Sequence, residues 1–140
     1  MRELNIAMCV LEQEDLLLFQ LLCSEPRLGA AGLFGCFGGK VEPGETPAQA
    51  AVRELGEETN LALEPADLRM IGDVSVESDR DNEPVKVFST VFHKTLQRID
   101  IVEAKEGSLY KIHKDRVGEY YDRMTPATRA LFEEHSIGEV

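Results

Sequence analysis

Gly38-Gly39-Lys40-Val41-Glu42-Pro43-Gly44-Glu45-Thr46-Pro47-Ala48-Gln49-Ala50-Ala51-Val52-Arg53-Glu54-Leu55-Gly56-Glu57-Glu58-Thr59-Asn60-Leu61 reads as a loop followed by a helix. Pro43 and the spaced glycines keep the first part out of any helix. Thr46 is an N-cap, Pro47 takes the first helical position and Gln49 completes a capping box, so the helix begins at Pro47. Asn60 is expected to end it in the left-handed conformation, which Asn tolerates second only to Gly. At about 100° per residue, Ala48, Ala51, Val52 and Leu55 share a core-facing stripe. Glu54, Glu57 and Glu58 fall at spacings of three and four, so their carboxylates gather on a neighbouring face. Like charges so placed are mildly destabilising in water, and a cation reverses that sign. Hard oxygen ligands of this kind suit Mg²⁺ or Mn²⁺, which a few carboxylates and substrate phosphates hold together. The glycines let main-chain carbonyls of Gly38 or Gly39 join them.

The stretch resembles the signature of the Nudix hydrolases, G-x5-E-x7-R-E-U-x-E-E-x-G-U, where U is a bulky aliphatic. Gly39, Glu45, Arg53, Glu54, Leu55, Glu57, Glu58 and Leu61 are in register, and Asn60 stands where the last glycine belongs. Surface helices rich in Glu are common, but they do not need the glycines, Glu45 and Arg53 as well. The resemblance implies an α/β fold, the Nudix α/β/α sandwich on a mixed sheet. It also implies hydrolysis of a nucleoside diphosphate linked to another group, with Mg²⁺ or Mn²⁺ as cofactor.

The rest of the chain frames that reading. Its 140 residues, 43% of them hydrophobic, suit one domain over 1–140. No apolar run approaches the ~20 residues of a membrane span, and the N-terminus has no signal-peptide shape. Cys9, Cys23 and Cys36 are odd in number and lack metal spacing, which points to free thiols and a cytoplasmic setting. A net charge of −11 argues against a stable complex with nucleic acid, yet a metal-bearing nucleotide would still be welcome. A homodimer is left open.

In order, Asn5 to Glu12 and Leu16 to Cys23 read as an antiparallel pair turning at Glu14-Asp15, and Ser24 to Gly32 as a loop. Arg27 in that loop and Lys40 after the glycine pair are candidate phosphate contacts. Phe34 and Phe37 are candidates to line a base pocket, since aromatic faces stack on nucleobases, with the core as their other destination. Leu68 to Val76 and Val85 to Lys94 form a second hairpin about a charged turn. Lys114 to Arg123 reads as helical, and Thr125-Pro126 opens a last helix to about His135. The three histidines form no triad or ligand pattern.

Carried over from the family, Glu54, Glu57 and Glu58 hold the metal, and a late-loop Glu joins them. Lys105-Glu106-Gly107 resembles that loop in the mutator-type triphosphatases, which favours Glu106, with Glu103 as its alternative. Glu57 or Glu106 takes the proton from water, while Arg53 pairs with Glu45 and orients the glutamates. Phe37-Gly38-Gly39-Lys40-Val41 also resembles the mutator type, so the expected reaction turns a nucleoside triphosphate into monophosphate and pyrophosphate. An oxidised, 8-oxo-guanine type base is one candidate. Gly35 stands where the animal enzyme has a base-reading Asn. The alternatives are another nucleoside diphosphate derivative (nucleotide sugar, ADP-ribose or dinucleoside polyphosphate) and a noncatalytic nucleotide sensor.

Overall fold

A computed structural model describes residues 1–21, 33–80, 82–105 and 108–135. Arg27, Cys23 and Glu106, named above from the sequence, lie outside the described residues. The described elements are strands β1 (Arg2–Gln13), β2 (Leu16–Leu21), β3 (Phe34–Gly35), β4 (Phe37–Lys40), β5 (Arg69–Arg80), β6 (Glu83–Leu96) and β7 (Ser108–His113), and helices α1 (Pro47–Glu58) and α2 (Pro126–Glu134). Lys114–Arg123 is helical as expected, in the tighter 3₁₀ form, and of its residues only Val117 is buried.

One mixed sheet carries everything. β1 pairs with β2 antiparallel and with β6 parallel along its whole length, from Arg2↔Val85 to Gln13↔Leu96. Residues Ala7 to Leu11 are buried on both faces, which is why β1 reads as an unbroken apolar run. Ala7, Cys9 and Leu11 face α1, whereas Met8 and Val10 face the α2 side. The β5–β6 hairpin forms as expected, with Asn82 at φ 63 in its turn.

β1 and β2 pair only from Leu11↔Leu18 to Gln13↔Leu16. Beyond that the chain Phe34–Lys40 fills the gap between them: β3 pairs with Gln20 and Leu21 of β2, and β4 with Ile6 to Cys9 of β1. This insertion brings the glycine pair to the middle of the sheet. Gly38 has φ +144, and a Cβ there would fall on the main chain of Ala7, so only glycine fits.

Phe34 and Phe37 both take the core, the second of the two destinations the sequence left open, and not the surface of a base pocket. Phe37 is fully buried in the core beneath α1, paired with Cys9, and cannot line a ligand pocket. Phe34 is also buried, at 1% exposure, on the opposite face. Aromatic residue type does not reveal which side of a strand has a helix over it. Cys9 and Cys36 are buried free thiols, and burial pushes Cys36 up to about 12, so neither is a nucleophile. Among the described residues no helix is long and apolar enough to cross a membrane.

Candidate active site

The loop before α1 is a turn built by its own sequence. Pro43 and Gly44 (φ +85) occupy its centre, and the Glu45 amide donates to the Glu42 carbonyl at 3.0 Å. Thr46 then caps α1. Its hydroxyl accepts from the Gln49 amide at 3.1 Å, and the Gln49 side chain accepts from the Thr46 amide at 2.9 Å. The capping box and the start at Pro47 are as the sequence predicts.

Arg53 binds the loop to the helix. Its Nε and Nη2 donate to the two oxygens of Glu45 at 2.7 and 3.0 Å, a bidentate pair, and Nη2 also reaches the Lys40 carbonyl at 2.9 Å. Nη1 donates to Glu54 at 2.9 Å and, more loosely, to Glu57 at 3.3 Å. The hydrogen bond from Arg53 holds the Glu45 carboxyl below the usual carboxylate range. The same bond to Glu45 raises the Arg53 guanidinium further. The pairing expected of Arg53 is therefore present, and one guanidinium orients two of the three box glutamates.

Those three do not form one face. Glu58 falls on the buried stripe with Ala51 and Leu55, at 8% exposure. The Gly38 amide donates to its Oε1 at 2.9 Å, and the Gln20 side chain donates to its Oε2 at 2.9 Å. Glu54 lies against the adjacent glycine: a Cβ on Gly39 would overlap its carboxylate. Glu54 and Glu58 thus bracket Gly38-Gly39, while the Glu57 side chain is 56% exposed and looks outward. Lys40 is exposed at the end of β4.

Among the described residues no three acidic, His or Cys side chains already surround one point. The donor set nevertheless fits a hard divalent cation. It consists of carboxylates, each oxygen of which can accept more than one contact, beside a glycine pair that admits a close approach. Waters and substrate phosphates would complete such a shell.

The C-terminal end of α1 departs from expectation. The helix stops at Glu58 with Thr59 as an extended C-cap (φ −136), and Asn60 does not have a positive φ. Asn60 instead clamps a distant segment. Its Nδ2 donates to the Ile101 carbonyl at 2.7 Å, its Oδ1 accepts from the Glu103 amide at 2.8 Å, and its own amide donates to the Glu103 carbonyl at 3.2 Å. Thr59 bridges Ala104. The Lys105 amide donates to the Glu58 carbonyl at 2.7 Å, and Lys105 Nζ donates to the Gly56 carbonyl at 2.9 Å. Carbonyls that a helix end leaves unpaired are met here by a segment more than forty residues away. Glu103 spends its main chain on this clamp, and its side chain is exposed.

Gln20 is the site residue that sequence reasoning missed. A buried amide in the apolar run Leu16–Leu21 was the available signal, since buried polar side chains have partners.

A family model described as the NUDIX domain matches residues 1–134. A curated relative, an uncharacterized Nudix hydrolase (orf19) of Rhodococcus erythropolis, is 40% identical over 52 residues. That match takes in 35% of this chain and 28% of the relative, so the chain spans little more than a quarter of that relative's length. Among solved structures, the MutT protein of Methanosarcina mazei Go1 superposes with a TM-score of 0.73 at 18% identity, over 95% of this chain and 92% of that one. The dihydroneopterin triphosphate pyrophosphohydrolase of E. coli also gives 0.73 at 18% identity, over 96% of both chains. The C. elegans Ap4A hydrolase gives 0.65 at 18% identity, over 97% of both. At such identities the superpositions show the fold.

Proposed function

The chain belongs to the Nudix hydrolase family, and from that premise we propose that it splits a nucleoside triphosphate into the monophosphate and pyrophosphate with Mg²⁺ or Mn²⁺. The observation that carries this reading is the bracket of Glu54 and Glu58 on Gly38-Gly39, with Arg53 fixing Glu54 and Glu57 beside it. A divalent ion bound there neutralises phosphate charge and acidifies the attacking water. The chain's own residues do the positioning on which phosphoryl transfer depends.

Glu58 is held by two donors and suits a fixed ligand. Glu54, packed on Gly39, is the second ligand, and a Gly38 or Gly39 carbonyl adds to them. Glu57 is exposed and loosely held, so it can both lean on the metal and accept the water proton. As water attacks, its proton goes to a carboxylate, the α–β anhydride bond breaks and pyrophosphate leaves. Lys40 meets the phosphates from the edge of β4, and Arg27 is assigned to the same task. Glu106 is proposed as the late carboxylate from the family resemblance. The docking of Lys105 on the last turn of α1 favours it over Glu103, which points to solvent.

A panel of nucleoside triphosphates, oxidised guanine included, with nucleotide sugars, ADP-ribose and dinucleoside polyphosphates, tests this in Mg²⁺ and in Mn²⁺. Pyrophosphate and monophosphate in equal amounts are expected. Turnover confined to the other diphosphate derivatives contradicts the triphosphate reading. Nucleotide binding without turnover of any kind makes the chain a sensor.

A further inference from the structure

On the face of the sheet opposite α1, three side chains sit over the buried ring of Phe34. The Tyr110 ring stands edge-on to it at 4.8 Å between centroids and 71°, and the Tyr120 ring at 5.8 Å and 80°. The guanidinium carbon of Arg123 lies over the Phe34 ring, 4.7 Å from its centroid. Of the two tyrosines only Tyr120 packs against the core cluster of this face. Tyr110 is 37% exposed, Tyr120 is half-buried and Arg123 is exposed. The adjacent Tyr121 shows what a structural tyrosine looks like in this segment: its hydroxyl donates to the Phe132 carbonyl at 3.3 Å. Among the described residues the Tyr110 and Tyr120 hydroxyls have no such partner. Among the same residues Arg123, like Arg2 and Arg69, has no carboxylate within ion-pair reach, whereas Arg53, Arg98, Arg116 and Arg129 each have one in this chain of net charge −11.

We propose that Tyr110, Tyr120 and Arg123, floored by Phe34, form the subsite that takes the nucleobase, and that it favours a purine. The proposal rests on the nucleotide reading above and adds where the base lies. Tyrosine rings and a planar guanidinium offer a flat, electron-rich base the faces it stacks on, and a larger ring system stacks more strongly. Strand register places this surface beside the carboxylates. Gln20, whose amide holds Glu58, is opposite Leu109, and Tyr110 is the next residue of β7. Leu21, one residue past Gln20, is opposite both Phe34 and Ser108. The metal-ligand candidates and the aromatic surface therefore meet at one end of β2, on its two faces. A nucleotide bound around that end has its phosphates toward Gly38-Gly39 and its base on Phe34's side. Phe34 keeps the association with the base expected from the sequence, but as the floor under the contacting residues.

Calorimetric titration without added metal tests the subsite on the full chain, with AMP and with ribose 5-phosphate as probes. Tyr120→Ala and Arg123→Ala should each weaken AMP roughly tenfold, the scale of one lost stacking contact. Tyr120→Phe should bind as wild type, because the ring and not the hydroxyl is used, and ribose 5-phosphate should bind all four proteins alike. The chain has no tryptophan and three tyrosines, so tyrosine ring-proton shifts on AMP addition report the stack directly. Equal AMP affinity in wild type and both alanine variants overturns the proposal, as does equal weakening of AMP and ribose 5-phosphate. A wild type that binds AMP through these residues but hydrolyses no triphosphate removes the proposed reaction and leaves the subsite. Triphosphate hydrolysis with an unchanged KM in both alanine variants does the reverse.

Discussion

The two ends of α1 are closed in opposite ways. At the N-terminal end everything needed lies within a few residues: Pro43 and Gly44 make the turn, Thr46 and Gln49 exchange hydrogen bonds, and Pro47 begins the helix. At the C-terminal end the closure comes from Ile101 to Lys105, across more than forty residues of chain. Glu57 and Glu58 sit at that second end. The part of the site that must be most accurately placed is thus the part held by non-local contacts, with Arg53 as the tie running back to the self-contained end.

Removing that tie should do the most damage. Arg53→Ala leaves Glu45 and Glu54 without their shared cation and the Lys40 carbonyl without its donor. Turnover should fall by about a hundredfold or more, as for misplacement of catalytic groups. Stability should fall by on the order of 2 kcal/mol. Kinetics and denaturant melts read both, and near-normal values for either would show that Arg53 does not join the two ends. Asn60→Gly probes the distant closure. Had Asn60 filled a left-handed cap, glycine would be neutral or slightly better. The clamp instead predicts a loss of roughly 1–2 kcal/mol and a higher divalent-metal concentration for half-maximal rate. Thr46→Ala should cost about 1 kcal/mol with the metal requirement unchanged, because it loosens only the local end. A shift in metal requirement for Thr46→Ala as large as that for Asn60→Gly would erase the distinction.

A titration reads the subtlest consequence. The Glu45 carboxyl is depressed by its hydrogen bond from Arg53. A carboxyl lowered in the folded state contributes stability above the unfolded value, about 4.3, and that contribution is lost as pH falls through the folded value. The Glu42 amide, which donates to Glu45 at 2.9 Å, should report this in an NMR pH series. A midpoint at or above the unfolded value would contradict the pairing.

The same contrast explains what could be read from the sequence. Turn, cap and helix start were legible because each signal and its partner lie within a few residues, whereas the Arg53–Glu45 pairing was implied by the resemblance to the Nudix signature. The β1–β2 and β5–β6 hairpins were legible through the same nearness in sequence. The parallel β1–β6 ladder was not, since nothing in either strand names the other. Asn60 could be seen to depart from the family pattern, but its partners at Ile101 and Glu103 could not. Glu58 looked like one of three surface glutamates, although its register with Ala51 and Leu55 already put it on the core stripe. Phe34 and Phe37 are three residues apart, an odd spacing that puts them on opposite faces of an extended chain, with Cys36 on the face of Phe34; what only the fold supplies is that both faces are covered there.

If the carboxylates of α1 carry out a divalent-metal-dependent hydrolysis, the rate must depend on both the ion and Glu57. Initial rates of triphosphate hydrolysis against Mg²⁺ and Mn²⁺ concentration, for wild type and Glu57→Gln, read both dependences at once. Glu57 is half exposed and off the core stripe, so the variant should melt at or above the wild-type temperature, as like-charge repulsion falls. Wild type should show no turnover in excess chelator, and Glu57→Gln should be slower by orders of magnitude at every metal concentration. Full turnover in chelator, or a folded Glu57→Gln with near-normal rates, would contradict that mechanism.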